Sequence, residues 1–299
     1  MKVLITGGSG FVGKNLKEIK PDWIYVGSED YDLLDLEETI NLLEEHKPDA
    51  IIHLAARVGG IKANVGHPAK FLYENVMINA NVVRAAEEVG VKRFLGSLST
   101  CAFPDNLRNY PYKEYNIHDG APAETNLSYG YSKRLLMIHC NAIRKQYGYD
   151  YSTFSPSNLY GPHDNFEPET SHFVGAMIRR VAEAKPGDTL EFYGTGVPLR
   201  QELFVEDLVK IIPILLEKHH TESPIIVAPN ENLTIKKMVE VMLEISDKNL
   251  KIKWNGKLDG QYRKDGSNWK LFNLIGDFDF TPFEVGLKKT YDWYIKEKV

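Results

Sequence analysis

The 299-residue chain has only two cysteines, no excess of positive charge, and no apolar run approaching the ~18 residues that a membrane span needs. Cys101 and Cys140 are too few for a disulfide framework and lack the spacing of a zinc site, so no metal is expected and a reducing, cytoplasmic setting fits best. Thirty-six basic residues against 41 acidic ones leave a net charge of −5, which argues against a surface that neutralises nucleic acid. The start, MKVLITGG, leads directly into a strand pattern without the longer apolar region and cleavage site of a secretory signal. There is no repeat or low-complexity tract. With 43% hydrophobic and 26% charged residues the composition is that of an ordinary globular protein, which excludes fibrous and disordered classes.

What is present is an alternation of short apolar runs with longer amphipathic segments, the pattern of βαβ units whose strands are buried on both faces. Strands are expected at about Val3–Thr6, Trp23–Val26, Ala50–Ala55, Arg93–Ser97 and Tyr151–Pro156, with long helices at Pro68–Val89 and Ser128–Tyr147. Alternation of this kind implies an α/β fold with a Rossmann-type, doubly wound parallel sheet. Beyond about Asn158 the rhythm loosens into helices near Ser171–Ala184, Glu206–His219 and Thr234–Ile245, with short strands at Leu190–Tyr193 and Ile225–Val227. The expected organisation is a dinucleotide-binding part over 1–165 and a smaller α/β substrate lobe over 166–299, with the chain free to cross between them.

The segment Gly7-Gly-Ser-Gly-Phe-Val-Gly13 lies directly after a strand and before a helix. Glycines there permit a tight turn and close approach of backbone to a pyrophosphate, and the following helix offers unpaired N–H groups to the phosphates. Just after the second strand, Glu29 and Asp30 lean toward NAD, because an acidic group accepts from the ribose hydroxyl and repels a 2′-phosphate. Ser9 and Ser28 leave NADP open. Asp35 fits either a place near the adenine or a helix N-cap.

Two further features select an enzyme. Ser99 stands at the end of the fourth strand, and Tyr129 and Lys133 lie four residues apart, hence on one face of a helix. A lysine beside a phenol is expected to lower the tyrosine pKa toward working pH, as acid/base duty at a carbonyl requires. Ser99 can then hydrogen-bond the same carbonyl oxygen, and Lys133 can also hold cofactor ribose.

With glycine turn, serine, tyrosine and lysine in this order, the chain resembles the extended short-chain dehydrogenases/reductases. His53-Leu-Ala-Ala-Arg-Val-Gly-Gly60, Leu98-Ser-Thr-Cys-Ala-Phe-Pro104, Asn158-Leu-Tyr-Gly-Pro-His-Asp-Asn165 and Arg200-Gln-Glu-Leu-Phe-Val-Glu-Asp207 narrow the resemblance to the GDP-L-fucose synthase family, over almost the whole chain. Related dehydratases carry an Asp-Glu pair where this chain has Cys101 and Ala102, so dehydration is disfavoured. The resemblance implies epimerisation at C3 and C5 of a GDP-4-keto-6-deoxy sugar, with Cys101 as base and His172 as acid, followed by NADPH-dependent reduction at C4 with Tyr129 as proton donor. It implies a cofactor surface of Gly7, Gly8, Ser9, Gly10, Phe11, Val12, Gly13, Ser28, Asp35, Leu36, Leu54, Ala55, Ala56, Ser97, Leu98, Tyr129, Lys133, Pro156, Ser157, Asn158, Leu159 and His172. Its substrate surface would be Ser99, Asn158, Arg180, Tyr193, Arg200, Asp259 and Lys264, the arginines facing the diphosphate. The expected cofactor is NADP(H), with NAD left open by Glu29 where animal members have lysine. A homodimer is expected, formed through the helices at 68–89 and 128–147. A reductase or epimerase of another GDP-4-keto sugar such as a heptose would keep every motif, and a non-catalytic dinucleotide sensor is the rival of a different class.

Overall fold

The computed structural model describes every residue except Leu258, Gly260 and Val299. The first half runs β1 (Val3–Thr6), α1 (Phe11–Ile19), β2 (Ile24–Val26), α2 (Leu36–His46), β3 (Ala50–His53), α3 (Ile61–Gly66), α4 (Pro68–Val89), β4 (Arg93–Ser97), α5 (Leu127–Tyr147) and β5 (Asp150–Pro156). The second half runs β6 (Asn158–Tyr160), α6 (Phe173–Glu183), β7 (Thr189–Phe192), β8 (Leu199–Arg200), β9 (Glu202–Phe204), α7 (Val205–Lys218), β10 (Ile225–Val227), β11 (Leu233–Thr234), α8 (Ile235–Ser246), β12 (Lys251–Trp254), β13 (Arg263–Lys264), α9 (Trp269–Ile275) and α10 (Phe283–Lys298).

Six strands form one parallel sheet in the order β10-β5-β4-β3-β1-β2. Alternate residues of β1 show why its sequence is apolar throughout. Leu4 joins a core with Leu42 of α2, Val82 and Val83 of α4 and Leu136 of α5, whereas Val3 and Ile5 join Leu16 of α1 and Leu208 and Ile212 of α7 on the opposite face. Local signals end the long helices. Pro68 opens α4, and Gly90 and Gly148 close α4 and α5 in left-handed conformation, with φ of +82° and +72°.

The doubly wound parallel sheet expected from the alternation is present, with element ends displaced by one or two residues. The strand expected to reach Ala55 stops at His53; Leu54 N still donates to Thr6 O at 3.1 Å, and Ala55 packs against the turn at Gly7. A separate core of Val174, Met177, Ile178, Phe192, Met238, Met242 and Leu287 holds α6, α8, α10 and β7 together. Well beyond residue 166, α7 packs on the main sheet and β10 pairs with β5 at its edge. Among the described residues no helix is long and apolar enough to cross a membrane.

Candidate active site

The carboxyl ends of β1, β3, β4 and β5 lie side by side, and the strand order reverses around β1, the place at which such sheets bind ligands. Gly7 has φ of +75°, and a Cβ there would fall 2.7 Å from Ala55 N; at Gly13 it would fall 2.5 Å from Gly7 O. Only glycine lets the turn, the β3 extension and α1 come this close. Gly10 precedes α1 with no side-chain cap, so no cap serves the first-turn N–H groups of Phe11 and Val12. Such a cradle fits a dinucleotide pyrophosphate. Leu54 to Ala56, Ser97, Leu98 and Pro156 to Leu159 follow the adjoining strand ends, so these expected cofactor residues converge on one edge.

At the adenosine end the acidic residues have unequal surroundings. Asp30 Oδ2 accepts from Gly27 N at 2.7 Å, which ties that carboxylate to its own turn. Ser9 packs against Gly27, while Ser28 and Glu29 are exposed beside it. Asp35 is the N-cap of α2, accepting from Glu37 N and Glu38 N at 2.8 and 3.1 Å, and Leu36 is the exposed first residue of that helix. Of its two sequence readings, the cap is the one its carboxylate fulfils.

Ser99 opens a short 3₁₀ turn, Thr100–Ala102, and its Oγ accepts from Cys101 N at 3.1 Å. That bond fixes Cys101 relative to Ser99. Helix α5 presses onto the same turn at Gly130, where a Cβ would lie 2.5 Å from Cys101 O. Glycine between Tyr129 and Tyr131 is therefore what lets the tyrosine helix approach the thiol-bearing turn. Lys133 Nζ donates to Ser97 O at 2.7 Å and sits 5.7 Å from the centre of the Tyr129 ring.

The electrostatics depart from the expected pattern. Burial pushes Lys133 down to about 7, and burial together with nearby Cys101 pushes the Tyr129 phenol above its usual value. The expected lowering of Tyr129 does not occur in this geometry: desolvation by burial, with Cys101 nearby, raises the phenol instead. Tyr129 is a neutral phenol holding its proton.

Cys101 has the opposite balance. Burial raises its thiol, but Lys264, Ser99 and Arg200 together bring it below the usual cysteine value. Lys264 Nζ donates to Cys101 Sγ at 3.1 Å. The strand pairing of β13 with β8 sets Lys264 beside Arg200, a half-buried guanidinium that donates to the Leu199 carbonyl at 2.7 Å. His172 is the N-cap of α6 without a side-chain cap bond; desolvation and the charge of Lys264 lower its pKa. Lys264 thus lies within electrostatic reach of both Cys101 and His172.

The outer substrate residues are less convergent. Arg180 Nη2 donates to Glu191 O at 2.6 Å and its guanidinium stacks over Phe192. Asp259 accepts from Thr195 N and Thr195 Oγ1 at 2.8 and 2.6 Å, clamping the loop that follows Tyr193, itself exposed. Asn158 Nδ2 donates to Glu202 Oε1 at 3.2 Å.

Sequence reasoning missed Glu202, whose only signal was an acid within a short apolar strand, and it missed Gly130 as a spacer. It also missed a buried chain under the cradle, in which Asn79 Oδ1 lies 2.9 Å from His53 Nε2 and Thr6 Oγ1 lies 2.7 Å from His53 Nδ1. Burial holds His53 neutral, its pKa lowered to about 3.

Residues 3–228 match the model of the NAD dependent epimerase/dehydratase family. The chain is 37% identical to a probable GDP-L-fucose synthase of Drosophila melanogaster, covering 99% of this chain and 97% of the fly protein. It is 32% identical to a GDP-L-colitose synthase of Yersinia pseudotuberculosis, covering 100% and 99% of the two chains. The crystal structure of a GDP-L-fucose synthetase from Naegleria fowleri bound to NADP superposes with a TM-score of 0.90 at 32% identity, covering 98% of this chain and 92% of that one. With the sheet, the glycine cradle and the serine, tyrosine and lysine in these places, the chain belongs to the NAD dependent epimerase/dehydratase family, on its GDP-L-fucose synthase branch.

Proposed function

We propose that the chain converts GDP-4-keto-6-deoxy-D-mannose to GDP-L-fucose, inverting C3 and C5 and then reducing C4 with NADPH. The observation that carries this reading is the Lys264-activated thiol of Cys101 beside a tyrosine-lysine reductase pair. Full-length similarity to proteins named GDP-L-fucose synthase supports it.

A ketone at C4 acidifies the C–H bonds at C3 and C5. Cys101 thiolate takes each proton from one face, and His172 returns one from the other. Ser99 and Tyr129 hydrogen-bond the oxygen on which negative charge gathers. When bound, the reduced nicotinamide supplies hydride to C4. Tyr129, neutral in its buried position, gives its proton to the resulting oxygen. Arg200 and Arg180 face the diphosphate with guanidinium forks.

For the cofactor, Asp30 is turned back onto Gly27, which removes one of the two acids that would repel a 2′-phosphate. Ser9 and Ser28 are the donors to it, and the similar Naegleria fowleri protein is a complex with NADP. Dimerisation uses α4 and α5. Tyr131, Leu135 and Ile138 form an exposed stripe along α5, next to exposed Leu72 and Tyr73 of α4, and a second copy would cover it. Leu135→Glu with Ile138→Glu should halve the mass in solution, measured by light scattering. The unpaired cysteines suit a reducing, cytoplasmic site of action.

Incubation with GDP-4-keto-6-deoxy-D-mannose in deuterium oxide, with NADPH or NADH, tests the reading. GDP-L-fucose carrying deuterium at C3 and C5 is expected; reduced but unexchanged sugar would refute the epimerase half. Similarity to a GDP-L-colitose synthase favours one second reading, a GDP-4-keto sugar lacking the C3 hydroxyl, which the same assay distinguishes by substrate preference.

A further inference from the structure

Glu202 has no part in the chemistry above, yet it stands inside the site. It opens β9, in register with Asn158 of β6, and its Oε1 accepts from Asn158 Nδ2 at 3.2 Å. Two cations act on its carboxyl, Arg200 from β8 and Lys264 from β13, paired in register with each other. These are the same two cations that act on Cys101, one of them by a direct 3.1 Å hydrogen bond to the sulfur.

Other groups complete the surroundings. On the carboxyl side are Asp164, from the loop after β6, and the Tyr160 phenol, both of which feel Glu202 as an anion. On the thiol side are Ser99, Tyr112 and Tyr129. His172 faces Lys264 from the start of α6. Asp259 also acts on Arg200, so the two cations stand among the Cys101 thiol, the Glu202 carboxyl and Asp259.

We propose that Glu202 is a positioning residue for Cys101: the thiol and the carboxyl share Lys264 and Arg200 as counter-ions, so the charge on Glu202 sets how readily Cys101 ionises. Burial keeps the carboxyl protonated to about pH 7, more than Asn158, Arg200 and Lys264 pull it down. Below that point Glu202 is neutral and does not compete with the thiolate for the cations. Above it the carboxylate competes for them and holds the thiol back. The two groups titrate as a pair, and Cys101 ionises over a wider pH range than a lone thiol would. The relevance of this coupling to turnover rests on the reading of Cys101 as base; the coupling itself does not.

The test is alkylation of Cys101 by iodoacetamide in the full-length protein without substrate, followed by mass spectrometry from acid to alkaline pH. Cys101→Ser supplies the background. Glu202→Gln should raise the rate near neutrality by roughly threefold to tenfold, the response to half to one unit in thiol ionisation, while leaving the alkaline plateau unchanged. Its profile should narrow to a one-proton curve, and Glu202→Asp should restore the broad one. An unmoved midpoint in Glu202→Gln, or a midpoint moved to higher pH, would overturn the proposal. So would a clean one-proton curve for the wild type, which keeps the question decidable if Glu202→Gln does not fold. If alkylation shifts while C3 and C5 deuterium exchange stays the same, the coupling stands and the role of Cys101 as base falls.

Discussion

Lys264 and Cys101 are 163 residues apart in the chain, and the ammonium of one donates to the sulfur of the other at 3.1 Å. The pair brings the half-buried thiol below its ordinary pKa. Lys264 also lowers His172, so one cation tunes the groups proposed for opposite faces of the sugar.

Lys264→Met should therefore slow deuterium exchange at C3 and C5 by about tenfold or more near neutral pH, with partial recovery at alkaline pH as the thiol ionises unaided. Exchange measured by NMR across pH decides it. A uniform loss at every pH would assign Lys264 to substrate binding instead. Because Cys101 and His172 are both lowered, the wild-type exchange optimum should lie acid of that for an ordinary cysteine and histidine.

Tyr129→Phe should cut reduction by on the order of a hundredfold or more, followed by cofactor absorbance, while deuterium exchange survives in part. Ser99 and Cys101 keep their geometry in that variant, since the bond between them does not involve the phenol. Full retention of reduction would remove Tyr129 as proton donor.

Gly13→Ala places a methyl 2.5 Å from Gly7 O and 2.6 Å from Gly8 O, both backbone atoms of the turn. The turn must open to admit it. Dinucleotide affinity by calorimetry should fall by about tenfold or more, a loss of roughly 1.4 kcal/mol, and the thermal midpoint should drop with it. Unchanged affinity would mean the cradle is not the phosphate site.

Asp164 is a buried carboxyl raised to about 7, with Oδ2 unpartnered and Oδ1 accepting from Asn165 N at 2.7 Å. Since its folded pKa is above that of the unfolded chain, the folded state retains a proton that the unfolded state releases, and stability falls as pH rises toward 7. Asp164→Asn removes that dependence. Its thermal midpoint should exceed the wild type's at about pH 8.5 and converge with it at about pH 4, measured by calorimetry. A gap equal at both pH values would show that the carboxyl does not ionise in the fold.

Local chemistry made much of this protein legible. The apolar run of β1 followed by Gly7, Gly8, Gly10 and Gly13 specified strand, turn and helix, because glycine alone tolerates those backbone approaches. The four-residue spacing of Tyr129 and Lys133 put them on one helix face before any coordinate was known. Pro68, Gly90 and Gly148 marked helix ends through their own backbone limits.

Tertiary structure decided the rest. Whether Asp35 capped a helix, whether Asp30 faced a ribose or its own turn, and whether Lys133 lowered Tyr129 all depended on which neighbours displaced water. Lys264, Arg200 and Glu202 meet Cys101 and Asn158 only because short strands of the second half pair in one register. A sequence states which groups can ionise or donate; desolvation and the distance between charges, set by packing, determine which of them do.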